Sequence, residues 1–126
     1  MTPATRDSIA RGRALFNRGE FFEAHEAWEE AWLTEAGPAR LFLQGLIQIA
    51  ASLLKAGRAE HPGGCLRLLD AGIEKLADAG DAGSGLALAA FIDSLNRLRP
   101  SVAAWADGRT GPPVPASFPT LEPLSR

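Results

Sequence analysis

The chain has no tyrosine, one cysteine and only two histidines in 126 residues. A lone Cys65 cannot build an intrachain disulfide framework, which suits a reducing compartment. Thirteen Lys and Arg against fifteen Asp and Glu give a formal charge of −2. With no excess of either sign, neither nucleic acid nor an anionic membrane is expected as a partner. The longest apolar run, Leu41 to Leu54, is about 14 residues and contains Gln44, Gln48 and Ser52, whereas a bilayer span needs roughly 20 apolar residues. Met1 to Asp7 carries no apolar signal core, so a cytoplasmic protein is expected. Alternation of period two is nowhere sustained, which leaves strands without a signal.

Helical periodicity fills the space these absences leave, and the predicted class is all-α: a compact bundle of about five helices in residues 1–107. A first helix is predicted from about Thr5 to Asn17, ended by Asn17-Arg18-Gly19, since glycine takes the left-handed conformation cheaply at a helix end. The second covers Glu20 to about Thr34, and Gly37-Pro38 opens the third, where a proline in the first turn loses no hydrogen bond. The third ends at Lys55-Ala56-Gly57, a cation followed by glycine. The fourth, after His61-Pro62, carries a single-face stripe of Leu66, Leu69, Ile73 and Leu76. After a Gly/Asp/Ser loop, Ser84 is the expected N-cap of a fifth helix bearing Leu88, Phe91, Ile92, Leu95 and Leu98. Pro100 is expected to break it, with Ser101 capping a short sixth turn through Trp105. Residues 108–126 hold Pro112, Pro113, Pro115, Pro119 and Pro123. They read as an extended tail that docks through Val114, Phe118 and Leu121 or leaves the bundle.

Charge is uneven along the chain. Arg6, Arg11, Arg13 and Arg18 share the first segment with only Asp7, while the next carries Glu20, Glu23, Glu26, Glu29, Glu30 and Glu35 and no cation. Helices of opposite sign attract when packed antiparallel, although exposed pairs add only about 0.2–1 kcal/mol each.

The second helix holds the one unusual constellation. At about 100° per residue, His25, Trp28 and Trp32 fall within roughly 40° of Phe21. Glu29 lies inside the apolar arc, one turn from His25; Glu26 is at its boundary. An ionisable pair among aromatics is costly unless partnered. The third helix is apolar over most of its circumference, with one polar stripe of Arg40, Gln44, Gln48, Ser52 and Lys55. Buried amides need partners, so Gln44 and Gln48 are expected to face His25 and Glu29 across the two helices. Phe21, Trp28 and Trp32 would line this cluster, the tryptophans as core rather than cofactor platform.

Metal chemistry is a weaker fit. His25 and Glu29 have two-ligand helical spacing, but no third ligand lies nearby, and the residue three before His25 is Phe22 rather than the glutamate of a Glu-x-x-His di-iron motif. No metal and no cofactor are therefore expected. Cys65, inside an apolar stripe, reads as a small hydrophobe. Gly63-Gly64 reads as a flexible helix entry.

The blocks Phe16-Asn17-Arg18-Gly19-Glu20-Phe21-Phe22-Glu23-Ala24-His25-Glu26-Ala27-Trp28-Glu29-Glu30-Ala31-Trp32, Phe42-Leu43-Gln44-Gly45-Leu46-Ile47-Gln48-Ile49-Ala50 and Gly64-Cys65-Leu66-Arg67-Leu68-Leu69-Asp70 resemble a small bacterial and archaeal family, the domain of unknown function 309. The match falls at His25, Glu26, Glu29, Trp32, Gln44, Gly45 and Gln48. The resemblance implies a compact helical bundle and supplies no activity.

Two functional readings follow. In the first, the chain is a non-catalytic binding module whose buried His25–Glu29–Gln44–Gln48 network fixes helix register while a protein or small molecule binds elsewhere. In the second, that cluster lines an interhelical pocket of an enzyme or a small-ligand or metal-binding protein. Leu88, Phe91 and Trp105 are the residues expected to supply a homodimer face, should one form.

Overall fold

The computed structural model describes residues 1–125. Five helices follow one another: α1 (Pro3–Asn17), α2 (Phe21–Trp32), α3 (Gly37–Gly57), α4 (Pro62–Ala79) and α5 (Leu88–Ala106), with a single 3₁₀ turn at Pro115–Ser117. There is no strand among the described residues, only an isolated bridge between Leu86 and Pro123. The protein is an all-α bundle. No described helix is long and apolar enough to cross a membrane.

α1 starts two residues before the predicted position because Thr2 Oγ1 accepts from the Thr5 amide (3.1 Å), with Pro3 in the first turn. It stops where expected: the amides of Arg18, Gly19 and Glu20 fold back onto the Leu15 and Phe16 carbonyls, and Gly19 has φ +80°. α1 and α2 form one hairpin. In its seam Gly12 lies beneath the Trp28 indole so closely that a Cβ would collide with the ring. The indole Nε1 donates to the Ile9 carbonyl (3.3 Å), so a fully buried tryptophan has its polar atom satisfied. Only Arg11–Glu30 (3.4 Å) joins the two oppositely charged helices as an ion pair, and both side chains are exposed. Charge therefore adds little to what packing holds.

α3 and α4 form the second hairpin. Cβ atoms built at Gly45 and Gly72 would stand 3.2 and 3.0 Å from each other's carbonyl oxygens, so the two backbones touch. Further along the seam, the Ser52 hydroxyl donates to the Cys65 carbonyl (2.7 Å). That leaves the thiol as donor toward Ser52 Oγ at 3.4 Å. Burial pushes the Cys65 thiol above its ordinary pKa, against smaller opposing effects of Ser52 and Lys55. It is the small buried hydrophobe the sequence suggested.

Two expectations for the C-terminal half are corrected. α5 is not broken at Pro100; it continues to Ala106. Pro100 and Asn96, whose carbonyl loses its helical partner, are both exposed, so that carbonyl is open to solvent. Buried Leu98, Val102 and Trp105 hold the helix against the core on either side of the proline. Ser84 does not cap α5 either. Its hydroxyl accepts from the Leu86 amide (3.2 Å) within the loop, and the helix begins two residues later, at Leu88.

The tail docks at one point above all. Leu121 is completely buried, and the Asn17 side-chain amide clamps its backbone from both sides. Oδ1 accepts from the Leu121 amide (2.8 Å) and Nδ2 donates to its carbonyl (2.9 Å). Phe118 packs on Phe21 with ring centroids 5.8 Å apart. Val114, expected as a third anchor, is 63% exposed. Leu88, Phe91 and Trp105 are buried within the chain's own core, so they present no dimer face.

Candidate functional site

The buried arc of α2 is not centred where the large side chains suggested. Phe21, Ala24, Ala27, Trp28 and Ala31 face the bundle, which puts the centre on the alanine side. Small residues let α1 and α3 approach closely, and the helix turns to present them. Glu29 then sits roughly 140° from the middle of that arc and lies outside, with its side chain 48% exposed. The expectation of an inward Glu29 is corrected on this ground.

His25 straddles the edge of the arc. Its Nε2 reaches outward to Glu29 Oε2 at 3.3 Å, and Phe22 stacks on the imidazole with centroids 6.3 Å apart and planes at 22°. Its Nδ1 points inward, buried and without a hydrogen-bond partner.

Across the seam, Arg40 of α3 lies over the Trp32 ring, 4.0 Å from its centroid. This contact joins the end of α2 to the first turn of α3. Gln48 Oε1 and Trp32 Nε1 are, like His25 Nδ1, buried and without a partner. Among the described residues, neither Gln44 nor Gln48 donates to or accepts from His25 or Glu29. The buried four-residue network is therefore not formed, and His25 Nδ1 and Gln48 Oε1 each stay without a partner.

The remaining expected residues divide. Trp28 is core, and Phe21 packs with Phe16 (5.1 Å between centroids) instead of lining the seam. Glu26 joins Phe22, His25, Glu29, Glu30 and Leu33 around a shallow outer cleft of about 340 Å³. Phe22 is 46% and Leu33 67% exposed. Eleven residues apart, they fall roughly 20° from each other on the wheel and bracket the acidic strip. Sequence reasoning passed over both because it assigned large apolar residues to the core; their displacement toward Glu29 on the wheel was the available signal. It also placed Arg40 in the polar stripe without pairing it to Trp32. No group of three or more His, Cys, Asp or Glu able to hold a metal occurs among the described residues.

No curated protein matches the sequence. Residues 9–68, which run from α1 through the first turns of α4, match the family model described as domain of unknown function (DUF309).

Proposed function

We propose that the protein is a non-catalytic binding module whose recognition surface is the outer face of α2, and that its partner is a basic segment with two apolar contacts. The observation that carries this reading is the strip itself. Exposed Phe22 and Leu33 bracket Glu26, Glu29 and Glu30, on a helix without a single Lys or Arg. Large apolar side chains at both ends of an exposed charged strip are a feature of interaction surfaces. The residues around His25 include no hydroxyl or thiol, and a His–Glu pair without a nucleophile or oxyanion donors is not a constellation for covalent catalysis.

A second reading is favoured by the three unpartnered polar atoms of the α2–α3 seam. A small polar ligand that reaches His25 Nδ1, Gln48 Oε1 or Trp32 Nε1 would give that atom the partner the protein does not supply.

One titration distinguishes them. Isotope-labelled protein is titrated with an amphipathic Lys/Leu peptide while amide shifts are followed. The first reading expects salt-sensitive shifts centred on Phe22, Glu26, Glu29 and Leu33, weakened severalfold by Phe22→Ser or Leu33→Ser. Shifts spread over other acidic surfaces, or no saturable binding, would overturn it.

A further inference from the structure

A second concavity shares no residue with the α2 strip. It opens where the C-termini of α1 and α3 and the N-terminus of α2 converge, and the tail forms one wall. Its volume is about 570 Å³, within the size of small-molecule sites. Phe16, Phe21, Leu54 and Phe118 supply an apolar floor, and Arg18 and Arg58 stand at the rim.

Two helix C-termini meet here, and Arg58 at the rim stands against their partial negative charge. Helix C-termini ordinarily turn bare carbonyls outward. Here the Leu15 and Phe16 carbonyls accept from Arg18, Gly19 and Glu20, while those of Leu54, Lys55 and Ala56 accept from Arg58, Glu60 and Ala59. The repulsion two helix ends would exert is thereby reduced. Glu20 at the start of α2 gives no side-chain cap, and that carboxylate is held by Arg18 at 2.7 Å instead. Arg58, exposed at the end of α3, makes no ion pair or side-chain hydrogen bond among the described residues. An apolar floor beside an uncommitted guanidinium matches a ligand with an apolar body and a charged head, because the guanidinium fork pairs with a carboxylate through two parallel bonds.

We infer that this tail-walled cleft binds a small amphipathic organic carboxylate, with its acyl or aryl body on the phenylalanines and its head on Arg58. Docking of the tail completes the site: the Asn17 clamp on Leu121 holds the chain that brings Phe118 over Phe21.

The test is displacement of the fluorescent probe 8-anilinonaphthalene-1-sulfonate from the folded full chain by decanoate and, in parallel, by decanol. Decanoate is expected to displace the probe saturably, and decanol about tenfold more weakly or worse, since a charge-assisted pair is lost. Arg58→Gln, at an exposed position that leaves the core intact, should weaken decanoate by about tenfold and leave decanol unchanged. Leu54→Trp, which fills the floor, should abolish displacement by both; if that variant does not fold, the Arg58 arm decides. Equal displacement by acid and alcohol, an unchanged constant in Arg58→Gln, or no saturable displacement would each overturn the inference.

Discussion

Within each hairpin a glycine lets two helices close. Gly12 lies under the Trp28 indole where α1 meets α2, and Gly45 and Gly72 face each other's carbonyls where α3 meets α4. Between the hairpins α2 contributes no glycine to its contact with α3. That seam is edged by Trp32, Arg40, His25 and Gln48, and three of its buried polar atoms lack partners. The closed seams satisfy their polar groups: Trp28 Nε1 on the Ile9 carbonyl, the Ser52 hydroxyl on the Cys65 carbonyl. The contrast separates contacts that hold the bundle together from a contact with binding capacity left over.

The closed seams should be the most sensitive to added volume. Gly72→Val inserts a branched side chain against the Gly45 carbonyl and Ile49 and is expected to cost at least about 3 kcal/mol, beyond the usual overpacking range because a backbone must move. Urea unfolding measures it, and a loss under about 1 kcal/mol would show that α3 and α4 separate easily. Gly12→Ala adds less volume against a harder wall and should cost at least about 2 kcal/mol. Alanine gains roughly 1 kcal/mol of helix propensity, yet its methyl meets a rigid indole, where the flexible end of Ile49 could have yielded.

The open seam should respond with the opposite sign. Gln48→Leu replaces a buried, unpartnered amide oxygen with an apolar group of similar size, so stability is expected to stay level or rise by up to about 1 kcal/mol. A loss beyond about 1 kcal/mol would mean that the amide supports the free protein, and the distinction between the two kinds of seam would disappear.

Periodicity and punctuation made the helices legible. Gly19 and Pro38 placed ends, and the Leu66–Leu76 stripe placed α4. The failures have common physical causes. Pro100 reads as a breaker only if its neighbours lack a reason to stay helical, and Val102 and Trp105 supply one through tertiary burial that local sequence does not express. Glu29 was misplaced because a wheel weights bulk, whereas close helix packing selects alanine. The mid-helix glycines were the overlooked clue: each carries a propensity cost of about 1 kcal/mol, and a near approach of backbones is a common reason for one. Of the site residues, His25 and Gln48 were recognisable as polar groups on apolar elements. Phe22 and Leu33 were not, because their exposure depends on which way α2 turns.

The seam between α4 and α5 offers the smallest test and a control for the others. Asp70 and Arg99 form a two-bond pair, 2.6 and 2.9 Å, with both side chains more than two-fifths exposed. The Arg99 hydrogen bonds hold the Asp70 carboxyl below its ordinary range, against a smaller effect of burial. A carboxyl depressed in the folded state contributes stability above its unfolded pKa of about 3.9 and loses it as pH falls through the folded value. A double-mutant cycle of Asp70→Asn and Arg99→Gln should therefore give about 0.2–1 kcal/mol of coupling at pH 7, shrinking below pH 4 and weakening with salt. Coupling that survived full protonation of Asp70 would show that the pair fixes α5 through geometry instead of charge, and would place this seam with the two closed by glycine.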